Sequence, residues 1–165
     1  LLGTAGTLAA NAEYFGSEPA LIAHADNLTD FDLSAMVSSH LSKPRDKVIT
    51  MLAFETDVPK TCGILELDEH HAVIGFHEKV DNPPGNLANA AVYIMDKEAI
   101  CFAVSIPGDV KDISLDVIPH FLGRIQCVKT NGYHRDIGSV ESLERAHLEF
   151  CTEGFGLYRP VGLEE

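Results

Sequence analysis

With 165 residues, 45% of them hydrophobic, the chain can bury one sizeable core and reads as a single domain. A formal net charge of −13 argues against nucleic acid or an anionic membrane as partner. No apolar run approaches the roughly 18 residues of a membrane span, no start resembles a signal peptide, and Cys62, Cys101, Cys127 and Cys151 form no C-x-x-C pair, so free thiols in a reducing cytoplasm are expected.

Thr4–Tyr14 is Ala-rich with Leu8 and Ala12 on one face, which predicts a helix after the glycine-containing entry Gly3-Thr4-Ala5-Gly6. Ala20–Ala25 is a short apolar run between Pro19 and Asp26 and suits a buried strand. Leu33, Met36, Val37 and His40 recur at helical spacing, with Asp30 or Asp32 available as cap. Lys47–Phe54 reads as a second buried strand. Thr61–Leu67 and Ala72–Phe76 read as a hairpin turning at Asp68-Glu69-His70-His71, and Asn89–Met95 as a further strand. A helix is predicted over Ser114–Leu122, bent or ended by Pro119, then a strand over Ile125–Lys129. The last helix is expected from about Val140 to Phe150, capped by Ser139, with Leu143, Ala146, His147 and Phe150 as its buried stripe. From Cys151 the Gly/Pro-containing sequence reads as an irregular tail. Strands alternating with helices predict an α/β fold, a mixed, mostly parallel Rossmann-like sheet flanked by helices, with a β-hairpin insertion.

In such sheets ligands bind beyond the carboxyl ends of the strands. Asp26 and Asn27 follow one strand, Glu78 and Lys79 another, and Asp136 follows the Ile125 strand across a polar connection. A carboxylate beside an ammonium, as at Glu78-Lys79, can hold a ligand bearing both hydroxyls and phosphate. Asp26 and Asp136 can share one Mg²⁺, a hard ion that takes one or two carboxylates and completes its shell with phosphate and water. Simpler readings stand beside these: Asx turns at Asp26-Asn27 and Asp136, a solvated strand end at Glu78-Lys79, and packing roles for His40, His120, His134 and His147. Arg135 offers a cation beside Asp136. No nucleophile-elbow motif supports a hydrolase.

The same residues carry a resemblance. LGTAGTL at Leu2–Leu8, HADN at His24–Asn27, CGILELD at Cys62–Asp68, GFHEK at Gly75–Lys79, NLANAAVYIMD at Asn86–Asp96 and YHRDIGSVESLERA at Tyr133–Ala146 follow one another in the order seen in sugar nucleotidyltransferases, and most resemble the mannose-1-phosphate guanylyltransferase branch. The resemblance implies a Mg²⁺-dependent reaction between a sugar 1-phosphate and a nucleoside triphosphate, giving a nucleoside-diphosphate sugar and pyrophosphate. It assigns Gly3, Thr4, Ala5 and Gly6 to the base, in a form that favours guanine. Asp26 and Asp136 are assigned to the metal, Gly63, Glu78 and Asn89 to sugar hydroxyls, Lys79 to the sugar phosphate, and Asn27 to the substrate side. Ala25 and Ala91 stand where the family more often has Gly.

The family's Gly-rich Arg/Lys loop for the triphosphate does not precede Leu1. Residues 1–150 are therefore expected to be an incomplete catalytic domain, short of at least one βαβ unit of roughly 30 residues, with 151–165 as its tail. An open sheet edge there would favour self-association into a homo-oligomer. The rival reading is a non-catalytic module of the same fold that binds a sugar phosphate or nucleotide sugar.

Overall fold

A six-stranded mixed sheet organises the chain. The computed structural model describes residues 1–108 and 111–153. In chain order the strands are β1 (Ala20–Ala23), β2 (Asn27–Thr29), β3 (Ile49–Glu55), β4 (Gly63–Leu67), β5 (Val73–Glu78), β6 (Leu87–Met95), β7 (Ile125–Lys129) and β8 (His134–Asp136). The helices are α1 (Gly3–Ala10), α2 (Leu33–Ser42), α3 (Lys97–Ser105) and α4 (Val140–Glu153).

The main sheet runs β5-β4-β6-β3-β7, with β1 on β6, while β2 and β8 form a separate antiparallel pair. β1, β3, β4 and β7 point one way. β6 runs against them in the middle, so the sheet is mixed as expected, with β3–β7 parallel and the β1–β6, β3–β6, β4–β6 and β4–β5 ladders of the described residues antiparallel rather than mostly parallel. β4 and β5 make the anticipated hairpin, Gly63 facing Glu78.

One sheet face packs Ile49, Met51, Tyr93 and Met95 under α1, α3 and the segment Ile113–Phe121. The other packs Leu52, Val92 and Ile94 against Met36 of α2. Each large apolar side chain buried this way contributes about 1.5–3 kcal/mol. Asp32 is the α2 cap, its Oδ1 accepting from Ala35 N–H at 2.9 Å, worth about 1 kcal/mol.

Several boundaries differ from the sequence reading. α1 stops at Ala10, and a 3₁₀ turn takes over from Ala12 to Phe15. Ser114–Leu122 is not one α-helix: a π-helical turn, Ile113–Val117, passes into a 3₁₀ turn, Ile118–Phe121, at Pro119, whose ring cannot continue the α ladder. On α2, Met36 and His40 are buried but Leu33 and Val37 face out. On α4, Ala146 is buried while Leu143 is 52% exposed and His147 is exposed, so the expected stripe is one residue wide among the described side chains. α4 continues to Glu153, and the rest of the expected tail lies outside the described residues. No helix among the described residues is long and apolar enough to cross a membrane. Cys62, Cys101 and Cys127 are free thiols.

Candidate functional site

The carboxyl ends of β3, β5 and β7 and the amino end of β4 open onto one cleft of about 1170 Å³, with the β2–β8 pair as a further wall. Asp26, Asn27, Gly63, Glu78, Lys79, Asn89 and Asp136 all line it. Residues distant in sequence therefore converge through two short ladders and one long strand.

The β2–β8 pairing sets Asn27 opposite Asp136. Asp26 accepts the Ile137 N–H through its carbonyl at 2.7 Å, and Asn27 donates to Ala90 O at 2.8 Å. This pinning of the HADN loop to both β6 and β8 replaces the local turn cap that Asn27 can make elsewhere. Gly138 sits between the two acids: a side-chain carbon placed on it would lie 3.0 Å from Asp26 Oδ2 and 3.0 Å from Asp136 Oδ1. Asp136 also accepts the Gly138 N–H at 2.7 Å, so the turn-forming role is real and compatible with the other.

Two convergent carboxylates of hard oxygen fit a Mg²⁺ that completes its shell from phosphate and water. No group of three or more His, Cys, Asp or Glu suited to a metal occurs among the described residues. A softer ion wanting four side-chain ligands therefore lacks its donors there.

On the opposite wall, the bare Cα of Gly63 lets Glu78 lie over it. A Cβ there would sit 2.6 Å from Glu78 Oε2 and 2.5 Å from the Phe76 ring. Glu78 is about three-quarters covered, whereas the Lys79 side chain is 66% exposed, with 3.6 Å between their charges. Lys79 has φ +49, a left-handed conformation, as the chain leaves β5 and its N–H bonds Cys62 O. Ala91 is left-handed too, at φ +52, held by its N–H to Asn89 Oδ1 at 3.0 Å. A glycine is conformationally apt at 91 for that reason. Ala25 has no such positive φ.

Gly3–Gly6 are not cleft-lining residues. They form the first turn of α1, where Ala5 and Gly6 N–H groups both donate to Lys111 O and the Thr4 hydroxyl bonds Asp112 at 2.9 Å. Gly3 is left-handed, and a Cβ on it would run into the Lys111 carbonyl. Gly3 and Thr4 keep partial exposure, whereas Ala5 and Gly6 are buried.

His134 packs on Phe54 with 4.3 Å between ring centroids, and burial pushes its pKa from the ordinary 6.5 down to about 4. It is a neutral packing residue at pH 7. Arg135 is committed to Glu149 of α4 through two 2.8 Å bonds, and Arg145 joins the same carboxylate at 2.9 Å. Thr56, Ser114, Arg145 and Glu149 line the cleft without having been signalled by the sequence. For Arg145 and Glu149 an i,i+4 charge pair on the last helix was the available cue.

Comparison with known proteins bears on the whole chain. Residues 1–153 match the sequence model of the Nucleotidyl transferase family. A glucose-1-phosphate adenylyltransferase of Photobacterium profundum is 28% identical over 184 residues, covering 94% of this chain and 45% of that protein. Its Bacillus mycoides counterpart is 29% identical over 161 residues, covering 92% and 43%. The chain thus spans less than half the length of these curated relatives. A Bacillus anthracis structure described as a glucose-1-phosphate thymidylyltransferase superposes with a TM-score of 0.80 at 19% identity, covering 99% of this chain and 63% of that one. HddC from Yersinia pseudotuberculosis superposes at 0.73 with 25% identity, covering 90% and 63%, and has also been solved with GMP-PN.

Proposed function

The chain belongs to the nucleotidyl transferase family, and from that premise we propose that its protein joins a sugar 1-phosphate to a nucleoside triphosphate. An oxygen of the sugar phosphate attacks the α-phosphorus, the bond to the outer two phosphates breaks, and pyrophosphate leaves. The observation that carries the proposal is the convergence of Asp26 and Asp136 across Gly138, in the same cleft as Glu78, Lys79 and Asn89.

In this reading Gly63, Glu78 and Asn89 meet sugar hydroxyls, the bare Cα of Gly63 leaving room for the Glu78 carboxylate, and Lys79 neutralises the sugar phosphate. Asn27 holds the Asp26 loop on β6. Asp26 and Asp136 would hold Mg²⁺, which when bound supplies charge neutralisation at the reacting phosphates. Such transfer needs in-line positioning and charge balance rather than a protein nucleophile. The resemblance assigns the base to Gly3, Thr4, Ala5 and Gly6; because this turn lies outside the cleft and Lys111 O takes the Ala5 and Gly6 N–H groups, the base contact in this proposal falls to the partly exposed Gly3-Thr4 edge alone. GTP is our choice of triphosphate: the resemblance at Gly3–Gly6 implies guanine, and the HddC structure with GMP-PN lends support. A mannose- or heptose-type 1-phosphate accompanies it in this proposal.

The test is pyrophosphate release by the full natural protein with Mg²⁺, across four triphosphates and several sugar 1-phosphates. Turnover with GTP and a mannose or heptose 1-phosphate is expected. Turnover only with ATP or dTTP and glucose 1-phosphate would overturn the specificity. No turnover in any combination, with a nucleotide sugar still bound, would favour the non-catalytic module.

A further inference from the structure

Tyr93 lies in the carboxyl half of β6, fully buried, yet keeps a polar hydroxyl there. That oxygen accepts a 2.7 Å hydrogen bond from Asn89 Nδ2, and Ser114 is a second hydroxyl beside it. On its other side the Asn89 carboxamide accepts the Ala91 N–H through Oδ1 at 3.0 Å. A backbone N–H can only donate, so the carboxamide has one orientation: oxygen to Ala91, nitrogen to Tyr93. One N–H and one lone pair of Asn89 remain, and Asn89 lines the cleft.

We propose that Tyr93 is a positioning residue for sugar selection. By holding Asn89 it makes that carboxamide present one donor and one acceptor together, the complement of two neighbouring hydroxyls on the sugar ring. The inference rests on the sugar-phosphate reading above. A phenylalanine would fill the same apolar volume without burying a hydroxyl that must find partners, so the hydroxyl is there for Asn89. Tyr93 does no proton transfer, because burial pushes its pKa up to about 12.

The experiment uses the full natural protein with selectively ¹⁵N-labelled asparagine. In Tyr93→Phe the Asn89 side-chain NH₂ resonances should move towards those of a free carboxamide. KM for the sugar 1-phosphate should rise roughly three- to tenfold, the loss of one hydrogen bond, with kcat and KM for the triphosphate within about twofold. In an Asn89→Ala background the same change should add nothing. Unmoved resonances, an unchanged sugar KM, or equal losses for both substrates with a lowered Tm would overturn the proposal. Should Tyr93→Phe fail to fold, Ser114→Ala decides: a smaller shift of the same resonances supports the role, and none overturns it. A wild type that turns over no sugar 1-phosphate sinks the functional reading alone, since the NMR arm still decides what Tyr93 does to Asn89.

Discussion

Asp26 and Asp136 meet across Gly138, each with an oxygen 3.0 Å from the place where a side-chain carbon on that glycine would sit. The backbone N–H of Gly138 also anchors Asp136. Gly138→Ala would press a methyl group between the carboxylates while leaving the backbone bond in place. The expected result is a raised Mg²⁺ requirement, with activity at fixed Mg²⁺ down about tenfold and restored in part by excess metal. The position is exposed, so Tm should hold. Mg²⁺ titration of wild type and variant gives the answer, and coincident curves would remove Gly138 as the spacer.

Replacing one carboxylate separates metal holding from folding. Asp136→Asn keeps the shape and an acceptor for the Gly138 N–H, but removes one of two negative charges facing the same point. Activity should fall by about 100-fold or more, several kcal/mol of lost charge stabilisation. Stability should stay level or rise slightly, because two like charges no longer face each other. Retention of most activity would take Asp136 out of the metal site.

Lys79 joins an exposed charge to a left-handed backbone, and two substitutions pull these apart. Lys79→Gln keeps the backbone strain and loses the cation. Lys79→Gly loses the cation but suits the φ of +49, which offsets the extra chain entropy that glycine brings, leaving stability within about 1 kcal/mol of wild type. Both should cut kcat/KM for the sugar 1-phosphate alike. Equal thermal melts for Gly and wild type with matched kinetic losses in Gln and Gly are expected; kcat/KM at the wild-type level in either variant would show that the cation is not needed.

The sequence was readable where apolar patterning and length agree. The runs that became β3 and β7, and the β4–β5 hairpin, are bounded by turn residues and filled by apolar or β-branched side chains. Ala20–Ala25, also expected to be a buried strand, is β1 over Ala20–Ala23 with Ala20 buried and Leu21 48% exposed, because apolar composition does not report whether a neighbour covers a face. β2 and β8 are three residues each, with Leu28 their one apolar side chain, so no periodicity announces them; yet they are what brings Asp26 and Asp136 together. The stripe expected on α4 failed at Leu143 because helical spacing reports a face, not whether anything covers it. Asn89 was legible as a motif residue, while its bond to Tyr93 was not, since the left-handed backbone at Ala91 and the β3–β6 register shift beside it leave no mark in an apolar pattern. The turn at Gly3–Gly6 looked like an open ligand loop, but the carbonyl that occupies its N–H groups, Lys111, is more than a hundred residues away.

His134 makes the fold sensitive to acid. Its folded pKa is about 4 because burial against Phe54 disfavours the imidazolium, whereas the unfolded chain titrates near 6.5. Between those values the unfolded state binds more protons, so stability rises with pH: it is whole above pH 6.5 and is lost progressively as pH falls towards 4. His40, buried beside Thr50 and Asp96, is lowered in the same direction, first by its burial. The two contributions separate in His134→Phe, which keeps a ring on Phe54, cannot titrate, and removes a buried Nδ1 that has no hydrogen-bond partner. Urea unfolding at pH 7.5 and pH 5 should show a smaller loss of midpoint for the variant than for wild type, with similar midpoints at pH 7.5. Equal losses in the two proteins would mean that His134 stays neutral in the unfolded chain as well, or takes up its proton without unfolding, and the acid sensitivity would then belong to His40 and the carboxylates.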